Sequence, residues 1–134
     1  MNTKLLMSAS ALVLAAIGLL LSFLPDEILQ YAGVSSVLLL PVILQLLGAA
    51  YLGFALLNWM ARANLIGGIY SRPVAIGNLM HFIVSGLALL KAAFAGPGNI
   101  ALWVTGVVFI GFAILFAKVT FTHPLKEKSS NQMV

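Results

Sequence analysis

Val37 to Ala61 reads VLLLPVILQLLGAAYLGFALLNWMA and holds no charged residue. Its apolar residues run on without alternating, so it is neither a half-exposed strand nor a strand of a transmembrane barrel. They also fail to keep to one face, unlike a helix on the surface of a soluble protein. The hydrocarbon core of a bilayer is crossed by about 20 consecutive apolar residues in a helix, and this stretch is longer. Pro41 falls in its first turn or so, where the missing N–H costs little. The reading is a membrane-spanning helix.

Three further runs have the same character: Leu5 to Leu24, Val74 to Ala95 and Ile100 to Phe121. Lys4 before an apolar run also fits a signal peptide. However, Leu5 to Leu24 exceeds the roughly 7–15 residues of such a core, and no small-residue cleavage site precedes Pro25. It is therefore read as a retained first span. Pro25, Asp26 and Glu27 suit the first turn of a helix, so Pro25 to Tyr31 is expected to be a short interfacial helix, broken by Gly33, Ser35 and Ser36. Gly67-Gly68 marks a turn in the loop Arg62 to Pro73. Pro73 suits the start of the next helix, with Ser71 or Arg72 near the cap. Gly96-Pro97-Gly98-Asn99 is a tight turn, and Thr122 to Val134 is a polar tail expected to fray. Short connections between four spans imply an all-α, up-down four-helix bundle in one transmembrane domain, with a tail on the cytoplasmic side.

The composition agrees. Of 134 residues, 62% are hydrophobic and 7% charged, and the mean hydropathy is +1.11. Soluble domains are roughly 45–50% apolar and about 25% charged. A soluble domain, a disordered chain and a nucleic-acid binder are excluded on these numbers. There is no cysteine, hence no disulfide framework, thiolate metal site or dithiol redox motif. Lys4, Arg62, Arg72, Lys118, Lys126 and Lys128, six of the seven basic residues, fall on one side of the four-span arrangement, with Lys91 nearer the other. The positive-inside rule then places both termini in the cytoplasm of a bacterial inner membrane. Tyr31, Trp59, Tyr70 and Trp103 lie near span boundaries, as interfacial aromatics do.

The polar residues inside the spans are few. At 100° per residue, Gly48, Tyr51, Ala55, Asn58 and Arg62 share an arc of about 80°, and so do Asn78, His81, Ser85 and Ala88. If the second and third spans pack as a hairpin, the two stripes meet near the cytoplasmic side, His81 lying roughly 10 Å inside Pro73. Tyr51, Asn58, Arg62, Arg72, Asn78 and His81 would then line a polar pocket, its arginines suited to an anionic headgroup or carboxylate. A quinone or a lipid is the class of molecule such a pocket takes; no motif calls for another cofactor. The plainer alternative is that Asn58, Asn78 and His81 only bond between helices, each worth about 0.6–2 kcal/mol, while the arginines mark topology. Gly18 and Ser22, Ala49 and Gly53, and Ala113 and Ala117 are spaced for close helix contact. Gln45, off the stripe, would bond a neighbouring span or another subunit. Lys91 is expected to snorkel.

No Asp or Glu lies within a span, so a carboxylate-based proton carrier is not supported. One embedded histidine does not make a bis-histidine haem site, a metal site or a nucleophilic triad.

The stretch QLLGAAYLGFALLNWMAR at Gln45 to Arg62, with LPDEILQYAG at Leu24 to Gly33, resembles the small four-span bacterial proteins of the DoxX-like group. These pair a proline-containing exit from the first span with an LLGA…LG second span. The resemblance implies a four-helix bundle in a bacterial inner membrane, associated with quinone-dependent oxidoreductase complexes. It assigns no catalytic residue. The sequence as a whole points first to a non-enzymatic accessory or interaction subunit of a membrane complex. Its partners would be the lipid bilayer and other membrane proteins or further copies of itself. A binder or carrier of a small amphiphile (quinone, lipid or organic anion) comes second. A membrane enzyme using His81 as acid/base comes third.

Overall fold

The computed structural model describes residues 2–35, 37–96 and 99–122. Ser36, the Pro97-Gly98 centre of the last turn, His123, Lys126, Lys128 and the tail beyond Thr122 lie outside the described residues. Among those described there are five helices and no strand: α1 (Thr3–Phe23), α2 (Pro25–Tyr31), α3 (Leu39–Ala61), α4 (Arg72–Ala95) and α5 (Ile100–Phe121). α1, α3, α4 and α5 have 21, 23, 24 and 22 residues, and 18-residue stretches within them have mean hydropathies of 2.3, 2.0, 1.7 and 2.5. At 1.5 Å per residue they are about 32–36 Å long, enough to cross a hydrocarbon core of about 30 Å. The chain is an all-α, multi-pass integral membrane protein whose four long apolar helices suit a four-span bundle.

The expected interfacial helix is α2. Pro25 opens it, Asp26 and Glu27 occupy its first turn, and their charge complements the positive helix end. It ends in a Schellman closure: Gly33 N–H donates to Gln30 O at 3.0 Å and Val34 N–H to Leu29 O at 3.0 Å. α3 begins two residues later than the sequence reading, at Leu39, so Pro41 sits within its first turn. α4 begins at Arg72, earlier than expected, behind Ser71 in left-handed backbone with φ 47°.

The contacts divide the chain into two compact units, Lys4–Arg62 and Ala63 onward together with the first residues. In the first unit α1 and α3 run antiparallel. A Cβ on Gly48 would lie 2.8 Å from Gly18 O and collide with Ser22; one on Gly18 would lie 3.0 Å from Gly48 O. No side chain fits between the two backbones there, and this close approach is how helices associate when the surrounding solvent is as apolar as leucine. α2 packs against α3 in the same unit.

In the second unit α4 pairs with α5. Phe82 of α4 is wholly buried. Its ring meets Phe109 edge-on at 5.2 Å and stacks on Phe112 at 4.9 Å and Phe116 at 5.7 Å. Nearer the α4–α5 connection, Phe94 meets Trp103 at 4.5 Å. The Asn99 side chain caps α5 by accepting from Ala101 N–H at 2.9 Å. Gly67 and Gly68, at φ 133° and 55°, form the expected turn, with Gly67 and Tyr70 exchanging backbone hydrogen bonds. Gly68 N–H ties it to Val119 O of α5 at 3.3 Å.

Candidate functional site

The buried residues of α3 are Gly48, Tyr51, Ala55, Asn58 and Ala61, so the small-and-polar stripe of the sequence is the inward face of this helix. Asn58 is fully buried. Its Nδ2 donates to Ser10 Oγ of α1 at 3.0 Å, and the Ser10 hydroxyl donates onward to Met7 O at 3.0 Å. Serine within a helix commonly bonds its own backbone four or three residues back. Here the same oxygen also answers a carboxamide from the facing helix. Ser10 was not singled out by the sequence, because one serine between two alanines carries no periodic signal.

Arg62 caps the C-terminus of α3. Its guanidinium carbon lies 3.3 Å from the centroid of the Trp59 ring, a cation–π contact between residues three apart on one helix face. Nη1 of Arg62 is buried and has no hydrogen-bond partner among the described residues. A buried donor left unanswered costs about 1–3 kcal/mol, more when charged. This half-exposed side chain is thus held by its aromatic neighbour and short of an acceptor.

Trp59 also lines a groove of about 450 Å³ between α1 and α3. Ala11, Leu12 and Ala15 of α1 line it with Leu52, Ala55, Leu56 and Trp59 of α3. The alanines leave room where larger residues would close the helices together, and Leu12 and Leu56 stand exposed at its edges. The groove was not legible in the sequence, where alanine and leucine in an apolar helix look like ordinary span residues.

The remaining predicted site residues belong to α4. Arg72 is its exposed first residue. Asn78 is fully buried and donates to Val74 O of its own helix at 2.9 Å. His81 is half-buried, its ring 5.3 Å from Phe82 in an edge contact and 6.0 Å from Phe109. The buried residues of α4 are Ala75, Asn78, Phe82, Gly86 and Ala93. That face is turned by roughly 90° from the Asn78–Ala88 arc of the sequence, because Phe82 and Gly86 meet α5 while Ala88 is exposed. The six predicted residues thus fall into two sets, Tyr51, Asn58 and Arg62 on α3 and Arg72, Asn78 and His81 on α4. Lys91, expected to snorkel, is exposed.

Comparison with protein-family models, with curated proteins and with solved structures finds no match to this chain.

Proposed function

We propose that this membrane protein is a non-enzymatic subunit that docks laterally on other membrane helices, either of a larger complex or of a second copy of itself. The observation that carries this is Gln45. It is exposed on α3 amid exposed Val42, Ile43 and Leu46, about 9 Å along the helix from Leu39. A carboxamide facing lipid is unfavourable, and such groups find partners across helix contacts. Ala49 and Gly53, four and eight residues on, continue the same exposed face. Nothing stands within 4 Å of where a Gly53 Cβ would be, so a partner backbone has room to approach. The resemblance to the DoxX-like group supports an accessory role beside a quinone-linked enzyme.

A bacterial inner membrane with both termini in the cytoplasm is the orientation that goes with this reading. Lys4 near the start of α1, Arg62 at the end of α3, Arg72 at the start of α4 and Lys118 in the last turn of α5 all lie on one side of an up-down path. A C-terminal alkaline phosphatase fusion should be inactive in a bacterial host.

The docking itself is tested with a photoreactive residue at Ala49 in native membranes. Discrete protein adducts, weakened by Gln45→Leu, are expected. Adducts to lipid alone would overturn the proposal.

A further inference from the structure

The α1/α3 groove and Arg62 share one neighbour, Trp59. The groove is apolar along its length and ends at Trp59. The other contact of Trp59 is the Arg62 guanidinium, whose buried Nη1 has no partner among the described residues. Lys4 is exposed at the same end of the hairpin: taking the Asn58–Ser10 bond as a common level, Arg62 lies about 6 Å and Lys4 about 9 Å further out by helical rise. The acidic pair Asp26 and Glu27 belongs to α2, at the opposite end of α1. An amphiphile with its tail between the helices would therefore meet cations where its head emerges.

We propose that the groove holds an acyl chain of one anionic phospholipid from the surrounding leaflet, with a phosphate oxygen accepting from Arg62. The planar guanidinium can offer two parallel N–H bonds to phosphate, and its contact with the Trp59 ring restrains it beforehand. The alanine floor admits a chain of methylenes, which bilayer lipid supplies at the highest concentration of any candidate. The sequence suggested an amphiphile held by six residues of α3 and α4; the groove calls on Arg62 alone of these. Leu52 and Leu56 of the groove lie on the same side of α3 as Gln45 and Ala49, but the site does not use Gln45, so Gln45→Leu should weaken the Ala49 adducts and leave lipid retention unchanged.

The test is native mass spectrometry of the full chain released from nanodiscs of equimolar phosphatidylglycerol and phosphatidylcholine with identical acyl chains. The wild-type protein should retain phosphatidylglycerol over phosphatidylcholine by about tenfold: both offer a phosphate to Arg62, but the choline cation of phosphatidylcholine is repelled by Arg62 and Lys4. Arg62→Gln should bring the ratio to about one and Arg62→Lys should leave it intermediate, since a point charge lacks the fork. Ala15→Trp, which fills the groove from a half-exposed position, should lower retention of both lipids. Lys118→Gln should leave the ratio unchanged. Equal retention of both lipids by the wild type overturns the proposal, as does Lys118→Gln acting as strongly as Arg62→Gln. Undiminished retention by Ala15→Trp also overturns it. So does a lipid-free dimer that Ala15→Trp dissociates, which would give the groove to a second copy of the chain.

Discussion

The two helical hairpins solve one problem differently. α1 and α3 meet backbone to backbone at Gly18 and Gly48 and add a buried hydrogen bond between helices, Asn58 to Ser10. α4 and α5 hold together through the packed rings of Phe82, Phe109, Phe112 and Phe116, with Gly86 and Gly106 letting Ile110 and Leu90 seat closely. Their buried Thr120 turns its hydroxyl back onto Phe116 O of its own helix. In lipid, burying an apolar side chain between helices gains little over leaving it in acyl chains, so contact must come from close packing, ring geometry or polar pairs. The first hairpin relies on smallness and polarity, and smallness leaves a groove. The second relies on bulk.

Four experiments would break this contrast, the largest effect first. Gly48→Leu should cost about 3 kcal/mol, because overpacking against backbone has no rotamer escape. Thermal or denaturant unfolding in detergent reads the loss, and the α4–α5 hairpin should keep its aromatic near-UV signal. Phe82→Ala should cost about 2 kcal/mol, less than the same change in a water-soluble core, since the cavity term persists but the transfer term is small in lipid. The near-UV signal should here be lost. Asn58→Leu and Ser10→Ala, combined in a double-mutant cycle, should show a coupling of about 0.6–1.7 kcal/mol. Thr120→Val should shift stability by under about 0.5 kcal/mol, since that hydroxyl joins no second helix. If Thr120→Val proved as costly as breaking the Asn58–Ser10 pair, the division between the hairpins would not hold.

Much of this was readable from residue types. The four spans emerge within a few residues of their ends. α2 was located by Pro25 with Asp26 and Glu27, because helix starts have local chemistry. The inward face of α3 was also visible, since Gly48, Tyr51, Ala55 and Asn58 differ in kind from the leucines around them. On α4 the polar residues mark an arc through His81, but the face that packs on α5 was not visible: it centres on Phe82, an ordinary apolar residue in a membrane helix. Arg62 was selected for its charge, but its pairing with Trp59 and its unanswered Nη1 depend on side-chain direction at the helix end.

The amino-acid sequence by itself determined that this chain lives in a bilayer, how many times it can cross and where the turns fall. Those properties follow from transfer of long apolar runs out of water and from local backbone preferences, and both are written residue by residue. Which side chain meets which was decided by tertiary structure alone. Because lipid and protein interior are equally apolar, hydrophobicity does not mark the inward face. Only packing of the folded helices settles that Asn58 reaches Ser10, that four phenylalanines gather, and that alanines on α1 and α3 leave a groove beside Arg62.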